Sequence, residues 1–324
     1  MSKPTAPKGL SLRWLEVFQA CARSGSLRTT AKETGLAVST VSHHLKSLED
    51  HLGIGLFDHT RRPLQLTANG QAYLRSIDVA LHAIRKAKAD ASAGDIVGTS
   101  YLRLGIIEDL ESDVTPELAV YLSGRLPECS FLYHTSTSRE IIGMLRDRRL
   151  DLGIAVAPHE RMRDLEEQPV LRDPFVIVLP KEADLSLDDL VSGQTHLPFL
   201  QFSSELIIAR QIEAQLQRLG MAVPHKFECG SNQTLMAMVA AGAGWTITTP
   251  LLFSRAKRFH PKLSVRPFPS KRFSRTMSLV ATPDCSRNIL ELVDRKLRTS
   301  LDQQVIAPTV AKMPWLKDQF ALVD

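Results

Sequence analysis

The four cysteines of this 324-residue chain, Cys21, Cys129, Cys229 and Cys285, stand far apart and form no CxxC pair. That spacing excludes a zinc ribbon and a disulfide scaffold, and it fits the reduced thiols of a cytosolic protein. No apolar run is long enough to span a bilayer, and the opening MSKPTAPKGL lacks the apolar core of a signal peptide. The expected location is therefore the cytoplasm, with no membrane partner. Catalytic signatures are missing as well. There is no G-x-S-x-G elbow, P-loop or H-E-x-x-H, and after His159 and Glu160 the place of the second histidine holds Arg163. Gly242 and Gly244 form a G-x-G without its third glycine, at the end of a helix rather than its start, so no dinucleotide site is read there. His43 and His44 are neighbours, which on a helix sends them about 100° apart with no third ligand at a useful spacing. No catalytic residue, metal or cofactor is expected.

What the chain does have is 44% hydrophobic residues, enough over this length for two or three domains with real cores. Its net charge of +5 is uneven: residues 1–92 hold 13 Lys/Arg against 7 Asp/Glu, and the remainder holds 27 against 28. The cationic excess surrounds the stretch Ala37 to Leu52, AVSTVSHHLKSLEDHL. Val41, Leu45, Leu48 and Leu52 recur at helical spacing and form one apolar stripe. The opposite face carries Ser39, Thr40, Ser42, His43, Lys46 and Asp50, short hydrogen-bonding and charged groups suited to base edges and phosphates. Upstream, Ala31 and Gly35 precede Val41 in the order a tight helix-turn-helix needs. A first helix, Leu12 to Arg23, supplies Leu15, Phe18 and Ala22 to the same core, and Ser26 caps a second, Leu27 to Thr34. Arg28 at the start of that helix is either a phosphate contact or simply solvated. After Gly53, IGLFDHTRRPLQLT reads as a hairpin wing with His59, Arg61 and Arg62 at its tip. A reading helix beside a basic wing points to double-stranded DNA.

These residues, in this order, resemble the LysR-type transcriptional regulators. The N-terminal motif of that family runs through GSL, an Ala in helix 2, a Ser/Val-rich start to helix 3, LxxLExxLGxxLF, a basic wing and LTxxG. Here they are Gly25, Ser26 and Leu27; Ala31; Val41 and Ser42; Leu45, Leu48, Glu49, Leu52, Gly53, Leu56 and Phe57; Arg61 and Arg62; and Leu66, Thr67 and Gly70. The chain departs from the family in having Val38 where Gln is usual and His43 where Arg is usual. The resemblance implies a long helix that pairs with its copy in a dimer or dimer of dimers, a partly palindromic promoter site, and a two-lobe α/β effector domain similar to periplasmic solute-binding proteins. It also implies a small organic effector and makes RNA polymerase a candidate partner.

The rest of the chain is patterned accordingly. Thr67 begins a helix through about Ala91 whose Leu74, Ile77, Leu81 and Ile84 are spaced 3, 4 and 3 apart, a narrow seam that asks for a partner helix; the other reading is a helix lying on its own domain. SAGDIVGTS supplies a hinge. From Tyr101 the strands YLRLGII, CSFLYHT and LDLGIAV alternate with a helix opened by Thr115 and Pro116 and one opened by a Thr137/Glu140 capping box and running to Arg149, a βαβαβ unit with a parallel sheet. The linker APHERMRDLEEQP leads to a second unit with strands FVIVL, PFLQF, HKFEC and WTITT; LSVRPF and MSLVAT then return to the first, and Ser286 to Leu301 closes it. The expected architecture is a mainly α winged helix-turn-helix (10–67), a linker and dimerisation helix (68–91), a hinge (92–100), effector lobe I (101–158 with 266–301), lobe II (159–265) and a tail (302–324). The tail carries Met313, Leu316 and Phe320 on one helical face and docks either on its own chain or on a neighbour.

In a two-lobe α/β fold, ligands sit beyond the carboxyl ends of the strands, where helix N-termini favour anions. Four such places are polar here: Ser136, Thr137 and Ser138; Ser203 and Ser204; Ser231 and Asn232; and Thr248 with Thr249. Each alone is most simply an N-cap, and together they suggest a small carboxylate-bearing metabolite. Glu108, Asp109, Glu111 and Asp113 follow the first strand and would repel a carboxylate but suit an amine or zwitterion, so Glu108 is assigned to an amino group of the effector. Two other functions remain open: a solute-binding or enzymatic α/β domain whose N-terminal module mediates protein contacts, and a redox sensor using Cys229, which has no resolving cysteine close in sequence.

Overall fold

The computed structural model describes residues 9–61, 63–91, 101–157, 162–183, 185–186, 189–190, 195–221, 223, 225–270 and 272–323. The chain forms two units, Met1–Gly98 and Thr99–Asp324. Arg62 and the expected hinge at 92–100 lie outside the described residues.

In the N-terminal unit, helices α1 (Leu12–Ser24), α2 (Leu27–Thr34) and α3 (Val38–Leu52) precede a two-stranded wing, β1 (Phe57–Asp58) and β2 (Gln65–Leu66), and a long helix α4 (Ala68–Ala91). The stripe on α3 is inside: Val41, Leu45 and Leu48 are buried against Val17, Phe18 and Leu56. Each such side chain contributes about 1.5–3 kcal/mol on leaving water. Phe18 meets Phe57 edge-on at 5.5 Å and Tyr73 at 5.6 Å, tying α1 to the wing and to α4. Ser26 caps α2 by accepting from the Thr29 amide, and Gly35 closes it at φ 67°, a left-handed turn that most residues resist. Gly70 is needed for a different reason: a Cβ there would lie 2.0 Å from the Leu56 carbonyl oxygen, so only glycine lets α4 start this close to the wing. The seam on α4 is divided. Ile77 and Leu81 are buried in this unit's own core, Leu74 packs at its margin, and only Ile84 stays 43% exposed. The first half of α4 thus lies on its own domain, with Asp78 accepting from Gln19 at 2.6 Å, and the full seam is not left for a partner helix.

In the second unit, β3 (Tyr101–Ile107), α5 (Thr115–Arg125), β4 (Ser130–Ser136), α6 (Ser138–Arg146) and β5 (Leu152–Val156) form the expected parallel βαβαβ unit. The capping box of Thr137 and Glu140 opens α6, which ends at Arg146 rather than Arg149. The supposed linker is partly a strand. β6 (Glu166–Pro174) lies in the lobe I sheet, antiparallel to β12 (Ser274–Ala281), so the crossing between lobes falls at Pro174–Val176 rather than near residue 159. Its charges and Pro169 hid it: proline cannot donate to a ladder, and here it sits opposite Ser278 at a β-bulge.

β6 runs on almost without a break into β7 (Val176–Pro180) of lobe II, where it pairs antiparallel with β10 (Thr246–Thr248) and β11 (Leu263–Pro267). The return crossing joins β11 to β12. Phe175 and Phe273, one from each crossing, stack with ring centroids 3.8 Å apart and planes 7° from parallel. Lobe II also holds the parallel pair β8 (Phe199–Phe202) and β9 (His225–Cys229), helices α7 (Ile207–Arg218) and α8 (Asn232–Ala240), and a short α9 (Pro250–Arg255) that sequence patterning missed. The chain ends on lobe I with α10 (Arg287–Leu301), α11 (Ala307–Lys312) and β13 (Ala321–Leu322), which pairs with β6. The tail therefore docks on its own chain, with Leu316 and Phe320 fully buried.

Candidate DNA-reading surface and effector cavity

On α3, burial of Val41, Leu45 and Leu48 turns Ser39, Ser42, His43 and Lys46 out to solvent, with Thr40 half-buried beside them. None of Ser39, Ser42, His43 and Lys46 makes a side-chain hydrogen bond or ion pair among the described residues, so their donors and acceptors are free for a ligand. Arg28 is exposed at the start of α2. Arg61 is exposed on the wing but held by its neighbours, pairing with Asp58 at 3.2 Å and donating to Gln65 Oε1 at 2.9 Å. Glu49 has a role that the motif alone did not assign. Its Oε1 accepts from the amides of Leu56 and Phe57 at 2.7 and 3.1 Å, and its Oε2 lies 3.0 Å from His59 Nε2, so it pins the root of the wing to the reading helix. His44 faces the other way: burial, then the charges of His43 and Arg13, hold its imidazole below the ordinary range, which favours the neutral ring.

Between the lobes is a cavity of about 220 Å³ at the carboxyl ends of β3, β4 and β8. Glu108, Ser136, Thr137, Ser138, Ser231 and Asn232 line it; Ser203, Ser204 and Thr248 do not. Thr248 is fully buried within β10, and Ser204, exposed, uses its amide to bond Glu228 at 3.3 Å. Ser203 likewise spends its amide on the Cys229 carbonyl at 2.9 Å. Ser138 Oγ accepts from the Val156 amide at 3.0 Å, which leaves its O–H free to donate. Ser231 caps α8, and Asn232 Nδ2 donates to the Leu252 carbonyl at 2.8 Å. That bond fixes the Asn232 amide and leaves Oδ1 buried without a partner among the described residues, as is Oε1 of Gln211, another lining residue. Two unpaired acceptors call for a ligand carrying N–H or O–H donors. At the rim, hydrogen bonds from Ser136, then from the backbone and side chain of Thr137, hold the Glu140 carboxyl below its usual range.

The acidic segment after β3 differs from its expected role because most of its charge is matched. Arg275, buried on β12, binds Asp109 at 2.7 Å and Asp173 at 2.9 Å and donates to Thr249 Oγ1 at 3.0 Å. Glu111 meets Arg255 at 3.8 Å and Asp113 meets Lys257 at 2.9 Å, both reaching across from lobe II. Only Glu108 of the four lacks an ion pair among the described residues. With Glu108, Asp109 and Glu205 facing Arg139, Arg255 and Arg275, the cavity lining is close to neutral. Arg275 escaped sequence reading because its partners lie 102 and 166 positions away.

Residues 12–71 match the family described as bacterial regulatory helix-turn-helix protein, lysR family, and residues 98–294 match the LysR substrate binding domain. The chain belongs to the LysR family. It is a DNA-binding transcriptional regulator with an effector-binding domain. This LysR-family regulator is 27% identical over 248 residues to the HTH-type transcriptional regulator YfeR of Shigella flexneri, covering 74% of this chain and 79% of that one. It is 33% identical over 186 residues to ShiR of Corynebacterium glutamicum, covering 56% and 62%. Its fold is shared with the C206 mutant of Corynebacterium glutamicum OxyR, at TM-score 0.67 and 22% identity over 96% of this chain and 97% of that one. It is also shared with CbnR in complex with its target DNA, at TM-score 0.58 and 17% identity over 90% and 100%. These relatives are named as regulators, and no described helix is long and apolar enough to cross a membrane. The surroundings of Cys229 do not favour redox sensing: burial pushes its thiol up, away from the thiolate a sensor needs, and its sulfur contacts Met238 rather than a second cysteine.

Proposed function

We propose that this LysR-family regulator works in the cytoplasm as a homodimer or dimer of dimers, without catalysis of its own, reading a partly palindromic site and acting with RNA polymerase at the promoter it controls. The observation that carries the DNA reading is the α3 face of exposed Ser39, Ser42, His43 and Lys46, unpaired among the described residues, beside the Arg61 wing. Paired copies of such a module demand two half-sites related by the protein's two-fold axis. Exposed Val38, in the first turn of α3, adds methyl groups suited to a thymine methyl. The test is retardation of the DNA upstream of its own gene across a salt series. Affinity falling steeply with salt is expected, because phosphate neutralisation releases counterions; a salt-independent signal, or none, would reject the proposal.

The effector reading rests on the near-neutral cavity with its unpaired Asn232 Oδ1. A small carboxylate-bearing metabolite with an amino or hydroxyl group fits: the carboxylate takes the Ser138 O–H and the α8 N-terminus, and the donor group meets Asn232 and Glu108. Its binding favours one spacing of the lobes, and only such differential affinity passes a signal to the DNA. Metabolites would be screened by thermal shift against wild type, Ser138→Ala/Ser231→Ala and Ser204→Ala. A true effector should lose its stabilising shift only in the double variant; equal shifts in all three would place the site elsewhere.

A further inference from the structure

A larger cleft of about 680 Å³ opens between α6 of lobe I and α7 of lobe II, and its charged lining is entirely arginine: Arg139, Arg146, Arg210, Arg218 and Arg272. The rest of the lining is mostly apolar, with Ile142, Ile207 and Phe273 among it. Elsewhere in this unit, some arginines are matched by acids at close range, as in Arg103 with Asp151 at 2.8 Å and Arg298 with Asp294 at 2.9 Å. Here the compensation is thin. Arg146 reaches the exposed Asp164 at 2.9 Å, Arg210 donates to the Ser204 carbonyl at 3.3 Å, and among the described residues Arg218 bonds only neutral Gln215. Arg139 and Arg272 have no ion pair among the described residues. Five guanidinium groups gathered around one concavity repel one another, and an anion is what turns that cost into affinity.

We infer that this cleft is a second ligand site, adjoining the effector cavity and sharing Arg139, Ile207 and Gln211 with it, for a small metabolite carrying two or more phosphate groups. Guanidinium forks match phosphate oxygens two at a time, and the apolar floor suits the body of an organic molecule rather than a hydrated simple ion. The arginines on α6 are seven residues apart and those on α7 eight, which at 1.5 Å per residue spreads the cationic groups over roughly 10–12 Å. A single phosphate cannot engage that span; a multiply charged molecule can. Because α6 belongs to lobe I, α7 to lobe II and Arg272 to the return crossing, a polyanion here favours the arrangement in which the lobes lie close, and its absence leaves their arginines repelling one another.

The test is calorimetric titration of the full-length protein with inorganic tripolyphosphate, using orthophosphate as the comparator. Tripolyphosphate should bind at least about tenfold more tightly than orthophosphate, and Arg210→Ala/Arg218→Ala should remove at least about tenfold of that affinity. Arg210→Lys/Arg218→Lys, which keeps the charge and loses the fork, should fall between them. Arg61→Ala on the wing and Ser138→Ala/Ser231→Ala in the effector cavity should leave the binding unchanged. Equal affinities for the two phosphates, binding that survives the α7 Ala variant, or binding lost instead in the wing or effector-cavity variants would each overturn the inference. Failure of the effector proposal is distinguishable from failure of this one, since Arg210 and Arg218 line this cleft and not the effector cavity, whereas Ser138 and Ser231 line the effector cavity and not this cleft.

Discussion

The reading face of α3 and the cavity between the lobes are both polar, yet they hold their polar groups in opposite states. On α3, Ser39, Ser42, His43 and Lys46 stand in water with no side-chain hydrogen bond or ion pair among the described residues. In the cavity, Asp109 is bound to Arg275, and beyond its lining Glu111 and Asp113 of the same segment are bound to residues of lobe II. DNA brings its own dense charge, so its receptor gains by leaving groups open. A small metabolite must displace or fit around pairs that already exist, so its receptor gains selectivity from shape and from the few atoms left unsatisfied, such as Asn232 Oδ1.

Charge removal should separate the two regions most sharply. Arg275→Ala leaves Asp109 and Asp173 without their shared cation inside the protein, at a cost of about 3–5 kcal/mol in the stability of the effector unit. Lys46→Ala should change stability by no more than about 0.5 kcal/mol while weakening DNA binding. Calorimetric unfolding of both variants checks this, and comparable destabilisation by the two would erase the contrast. A smaller effect is expected within the reading surface. Ser39→Ala or Ser42→Ala should cost about 1–3 kcal/mol on sequences whose base contact is lost and alter which sequences bind. Arg61→Ala should weaken all sequences alike and flatten the salt slope. A Ser42→Ala protein that footprints the same operator with unchanged affinity and selectivity would remove that residue from the reading set.

The smallest effect is in the pH response. His44 is held below the ordinary 6.5 of histidine, so as pH falls through that value the unfolded chain takes up a proton that the folded one resists. The N-terminal unit should therefore lose stability on the acid side of neutrality. The carboxyl of Glu140 is held below its ordinary 4.5, so its contribution persists above that value and is lost only as the solution becomes more acidic still. Melting curves followed from about pH 8 to about 2 should show the N-terminal transition falling first. His44→Gln should flatten the first decline and Glu140→Gln the second; a single decline common to both units would contradict the separation.

Local arrangements were the most legible in the sequence. The helix-turn-helix was readable because its stripe, turn glycine and caps lie within one short segment, where spacing alone dictates which side chains share a face. The Thr137/Glu140 capping box was readable for the same reason. What escaped depends on distant partners. Nothing near Arg275 in sequence announces Asp109 or Asp173, and nothing near Pro169 announces the bulge that makes β6 a strand. Ser203, Ser204 and Thr248 occupy the ends of the right strands, but a strand end does not fix which side of the sheet a side chain takes. The α4 seam shows the converse. Its spacing was correct, yet the partner for Ile77 and Leu81 is the unit's own core.

The short pairing of β13 with β6 has a consequence for assembly. β6 is the strand that runs out of lobe I into the crossing, and its outer edge would otherwise be available to other chains. Ala321 and Leu322 cover that edge opposite Arg172 and Leu171, and the Val323 amide closes onto the Val170 carbonyl at 2.9 Å. Two residues are long enough to block templated strand addition and short enough not to splint the joint. The strand β13 thus acts as a guard on that edge, keeping other chains from extending the sheet there.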